Sequence, residues 1–99
     1  METLYSWLIV KSNSDSNNVV AIACKTDVLA ERFIEKLENF TDFKVFNIDF
    51  YGNGTLKEIK EKYAYTNGNL HIHSNNISLR NVYDLIYNNI VIYKAGITS

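Results

Sequence analysis

The sequence predicts one layered α/β domain, and three observations carry that expectation. Val19–Cys24 (V-V-A-I-A-C) is a short, unbroken apolar run, the pattern of a strand covered on both faces. A capped amphipathic helix and a second apolar, aromatic run follow it at once. From Val19 onward the order is strand, helix, strand, helix, strand, short strand, helix, and such alternation argues for a mainly parallel central sheet with helices on its faces. At 99 residues the chain suffices for one core and is too short for two.

Leu4–Val10 (L-Y-S-W-L-I-V) is apolar and aromatic, either a strand or one short helix. The following K-S-N-S-D-S-N-N has no apolar residue and reads as a loop. After Val19–Cys24, Thr26 or Asp27 caps a helix whose Leu29, Phe33, Ile34 and Leu37 share one face, and which should end near Asn39. Phe43–Tyr51 (F-K-V-F-N-I-D-F-Y) is the next strand, closed by a turn at Gly52-Asn53-Gly54. Thr55 opens the second helix, with Glu58 three residues on completing a capping box. A T-N-G-N turn leads to a short strand at Leu70–His73, and Asn75-Asn76 turns into a brief extended piece. Ser78 caps a third helix, L-R-N-V-Y-D-L-I-Y, and Ile90–Tyr93 is apolar again. No repeat or linker interrupts the chain.

Composition excludes several classes of function. A net charge of −1 with scattered Lys and Arg leaves no electrostatic footprint for nucleic acid or an anionic membrane surface. There is no basic-then-apolar leader and no apolar run near the roughly eighteen residues a span needs, so neither secretion nor a membrane anchor is expected. One cysteine, Cys24, allows no internal disulfide and suits a reducing, cytoplasmic setting. The chain has no Pro or Gln but thirteen Asn and seven Tyr, a bias that points to an AT-rich coding genome such as a virus's. In G-N-L-H-I-H-S-N-N, His71 and His73 stand two apart, so on a strand they share a face. Zinc wants three or four ligands and no cysteine lies near to join them, so they read as strand residues facing a helix layer. The G-N-G at residues 52–54 lacks the remaining glycine and lysine of a phosphate loop.

From Val19 to about Ile97 the chain resembles a glutaredoxin. V-V-A-I-A-C-K-T is similar to that family's first strand and the lead-in to its active site. F-K-V-F-N-I-D-F-Y-G-N-G is similar to its second strand and turn, and L-K-E-I-K-E-K to its second helix. Y-T-N-G-N-L-H-I-H-S-N-N-I-S resembles the threonine-valine-proline loop, third strand and following turn, and R-N-V-Y-D-L-I the opening of the next helix. The resemblance implies a single-domain, thioredoxin-like, three-layer fold with a mixed sheet and helices on both faces. Residues 1–18 would be an N-terminal extension and loop, and Val19–Cys24 and Phe43–Phe50 parallel neighbours. The departures bear on function: V-L-A-E stands at residues 28–31, where the family carries Cys-x-x-Cys, and Gly68 stands in place of the cis-proline. The glycine pair before the last helix is Ser78-Leu79. Without a thiolate of lowered pKa at a helix start, the family's disulfide exchange is lost.

The expected function is therefore that of a redox-inactive, glutaredoxin-like module that holds a protein partner or dimerises. Exposed aromatic residues would form its contact surface, with Trp7, Tyr5 and Tyr83 as candidates for a homodimer interface. Lys25, Thr66, Asn67 and Asn81 fall where the family grips glutathione, and their plain reading is a solvated lysine plus turn and cap residues. Cys24 is the one candidate thiol, and its plain reading is a buried small residue closing a strand. Two alternatives stand beside this: residual glutathione binding or a thiol role for Cys24, and a small phage inhibitor or toxin-immunity protein of unrelated α/β fold.

Overall fold

Trp7, Leu8, Ile9 and Val10 are consecutive and each is at most 1% exposed. Successive strand residues point to opposite faces, so such a run must be covered on both. In a computed structural model, which describes residues 3–12, 18–40 and 46–86, this segment is β1 (Tyr5–Ser12), an inner strand rather than an extension. It is followed by β2 (Val19–Cys24), α1 (Asp27–Phe40), β3 (Phe46–Gly54), α2 (Leu56–Lys62), β4 (Leu70–Ser74) and α3 (79–86). The start of the expected Phe43–Tyr51 strand, residues 43–45, and the apolar stretch at 90–93 lie outside the described residues.

The four strands form one mixed sheet in the order β3-β1-β2-β4. β1 is antiparallel to both its neighbours, and β2 and β4 are parallel with Val19 opposite Leu70. The expected pairing of Val19–Cys24 with the strand after α1 is not made: β2 and β3 run the same way, but β1 lies between them. A short connection can join antiparallel neighbours, so β1 takes the place beside β2. The chain through α1 then delivers β3 to the far side of β1.

Local signals set most boundaries. The Thr26 hydroxyl oxygen accepts the Leu29 N–H at 3.2 Å, capping α1. At α2 the capping box is reciprocal: Thr55 Oγ1 accepts the Glu58 N–H and Glu58 Oε1 accepts the Thr55 N–H, both at 3.2 Å. Ser78 Oγ accepts the Asn81 N–H at 3.1 Å at the start of α3, and the chain turns into that helix with no extended piece before it. Gly52-Asn53-Gly54 does not end β3. Gly52, at φ +89°, forms a β-bulge opposite Trp7, and the strand continues through Gly54.

Two apolar clusters flank the sheet, which makes three layers. Leu8, Val10, Val20, Ile22 and Cys24 pack against Ala30, Phe33 and Leu37 of α1 and Val82 and Ile86 of α3. Asn18, buried at the start of β2, donates from Nδ2 to the Ile86 carbonyl at 3.4 Å and ties α3 to this face. On the other face Trp7, Ile9, Val19 and Ala21 pack against Ile59 of α2 and Tyr63. The indole N–H of Trp7 donates to the Gly54 carbonyl at 2.8 Å, so the buried ring leaves no donor unpaired. No helix among the described residues is long and apolar enough to cross a membrane.

Candidate functional site

The second face is covered by a helix of seven residues, about 10 Å long at 1.5 Å per residue. That is too short to roof the whole sheet, and a groove of about 370 Å³ is left beside the start of α2. Tyr5, Trp7, Ala23, Leu56 and Ile72 line it, with Lys25, His73, Ser74 and Asn75 completing the boundary. Its aromatic wall is ordered by an edge-to-face contact of Tyr5 with Trp7, centroids 5.7 Å apart. Ala23 and Ile72 lie on inner strand β2 and edge strand β4, so the floor is sheet and the wall is β1.

This groove opens at the carboxyl ends of β2, β3 and β4, where α1, α2 and α3 begin. Open α/β sheets place their binding sites at that end, because loops there diverge and leave a crevice. Leu4, Val28 and Leu56, at this same end, are 62%, 55% and 40% exposed. Beneath them the buried Ser6 donates from Oγ to Asp27 Oδ1 at 2.5 Å, and Asn53 Oδ1 lies 3.3 Å from Ser6 Oγ. That contact joins the starts of β1 and α1 to the end of β3.

The residues aligned with a glutathione site do not converge. Lys25 is exposed on the groove rim, just past β2. Thr66 and Asn67 precede β4 at the opposite end of the sheet, since β2 and β4 are parallel and in register. A five-residue strand separates them, at least about 16 Å. Thr66 is buried, its hydroxyl donating to the Tyr63 carbonyl at 2.7 Å, and Asn67 holds a left-handed conformation at φ 54°. Both serve the turn into β4. Asn81 lies on α3, exposed, beside a separate cavity that also borders His73 and Asp84.

Cys24 is fully buried against α1, its thiol 3.9 Å from the Ile22 carbonyl, and burial pushes its pKa up. A thiol so placed is a poor nucleophile. His71 and His73 face the α1 and α3 side of β4, opposite Val20 and Ile22 of β2. The pKa of His71 is lowered, first by burial and then by the neighbouring His73. Among the described residues no three His, Cys, Asp or Glu side chains come together as a metal site.

Trp7 is 1% exposed, so it adds its aromatic ring to the core and the groove wall rather than to an exposed patch. Tyr5 is half-buried at the groove and Tyr83 half-buried against the α1–α3 cluster. Ala23, Leu56, Ile72, Ser74 and Asn75 join the groove without any sequence signal, because only the juxtaposition of β1, β2 and β4 gives them a common surface. No protein-family model, curated protein or solved structure matches this chain.

Proposed function

We propose that this protein works by binding a protein partner, with the groove beside α2 as its recognition site and without redox chemistry of its own. The observation that carries this is the groove itself: an apolar, aromatic recess with a polar rim of Lys25, Ser74 and Asn75. It has the size and lining of a pocket for one anchoring apolar side chain of a partner, with rim groups to orient the surrounding backbone. Val28 and Glu31 stand exposed at the start of α1, where the glutaredoxin resemblance would need cysteines, and Cys24 is buried behind the sheet. The resemblance supports the loss of redox chemistry and no more. β1 between β2 and β3 departs from the neighbouring pair it implies, which favours a small binding or inhibitor protein of separate α/β design.

The test fills the groove. Ala23→Leu adds bulk on the groove floor, where Ala23 is half-buried at the edge of the Trp7 cluster, and circular dichroism checks that the variant folds. Immobilised wild type should retain a defined protein from an extract of its own cell, and Ala23→Leu should not. Retention of the same proteins by both would refute the groove as the site. Glutathione should leave the melting temperature of the protein unchanged, and a thiol reagent should label Cys24 only after denaturation. Rapid labelling of the native protein, or glutathione-dependent reductase activity lost in Cys24→Ser, would refute the non-redox reading.

A further inference from the structure

Separate from the groove, β3 is an edge strand of the sheet among the described residues, and we infer that two copies of this chain join there, β3 against β3, so that their described strands form one continuous sheet. β3 spans nine residues at the end of the sheet and, among the described residues, pairs only with β1. An exposed strand edge is a template for another strand unless it is guarded by lysine, proline or shortness. Phe46–Gly54 contains neither lysine nor proline, and its single charged residue is Asp49. The other edge, β4, has five residues, and a two-fold pairing there about Ile72 would set His71 against His73. β3 is the better edge.

The occupant is a second copy because the β3 sequence complements itself. A two-fold axis perpendicular to the sheet keeps each face continuous, so facing residues must share parity and one residue must pair with itself. With Ile48 on the axis, Asn47 faces Asp49 of the other copy, and Phe50 is diagonal to Ile48 of the other copy. The first is an amide opposite a carboxylate; the second is an aromatic beside a β-branched residue, a favourable cross-strand pair. Centring on Asp49 would set like charges opposite each other. Phe50 is 46% exposed and lies on the α1 face, opposite the buried Leu8, so pairing would cover an aromatic side chain that the monomer leaves in water. Phe40, at the end of α1, is a further 42% exposed on that side. The bulge at Gly52 bends the strand after Phe50 and limits the pairing to its flat first half.

Light scattering and sedimentation from low to high micromolar protein test this. The wild type should be a dimer, and Phe50→Lys should be monomeric across the range. Asn47, exposed and outside both clusters, gives a test of sign. Asn47→Asp sets carboxylates opposite each other twice per dimer, and Asn47→Lys sets an ammonium opposite Asp49 twice. At about 0.2–1 kcal/mol per cross-strand pair, the dissociation constant should rise in the first and fall in the second by roughly 2- to 30-fold. Circular dichroism checks that each variant is folded, and the Asn47 pair decides the matter if Phe50→Lys does not fold. A wild type monomeric at every concentration would overturn the inference. So would a dimer whose dissociation constant ignores both Asn47 substitutions.

Discussion

Replacing Ile9 with alanine tests the claim on which the fold rests, that the N-terminal segment is an inner strand. Ile9 is 0% exposed and packs with Trp7, Val19, Ala21, Ile59 and Tyr63. Truncation removes buried carbon atoms and leaves a cavity that a flanked inner strand cannot collapse around, so the loss should be about 2–5 kcal/mol. Domains of this size are held by roughly 5–15 kcal/mol in total. Ile9→Ala should therefore take away a large share of the stability, and Ile9→Val about 0.5–1.5 kcal/mol. Trp7 is the chain's one tryptophan and lies in the same cluster, so its emission reports unfolding directly. With a urea slope of about 2 kcal/mol per molar, the midpoint of Ile9→Ala should fall by roughly 1–2.5 M, with circular dichroism tracing the same transition. Leu4→Ala, at a side chain 62% exposed just before the strand, is the control and should stay within about 0.5 kcal/mol. Equal midpoints for Ile9→Ala and Leu4→Ala would refute the placement of β1.

Three further outcomes are expected. Thr55→Ala removes the acceptor for the Glu58 N–H and should cost about 1 kcal/mol in a urea titration, while Thr55→Ser should restore most of it. Gly52→Ala meets no atom within 4 Å, so its cost, about 1–2 kcal/mol, should come from the φ of +89° alone; a neutral result would remove the bulge from the account of β3. His71 has its pKa lowered from 6.5, so the unfolded chain takes up its proton first; stability is present above that value and is lost as pH falls through it. The urea midpoint should drop as pH falls below about 7, where the unfolded histidine begins to take up its proton, and less so in His71→Gln; an identical drop in the variant would assign it elsewhere.

Much of the local structure was legible because its causes lie within a few residues. The capping box at Thr55 and Glu58, the hydroxyls of Thr26 and Ser78, the α1 stripe through Phe33 and Leu37, and the apolar run of β2 each depend on neighbours close in sequence. These were enough for an α/β domain with a mixed sheet and helices on both faces. Strand order was not, since it depends on which surfaces are buried together across the whole chain. L-Y-S-W-L-I-V is compatible with an appendage or a centre, and only packing on both faces made it the centre. That one decision moved Trp7 from surface to core and set β2 and β3 apart, while the parallel register of β2 and β4 put Lys25 and Thr66 at opposite ends of the sheet. It also created the groove, whose lining residues come from separate stretches and acquire a shared surface only where the short α2 leaves the sheet uncovered.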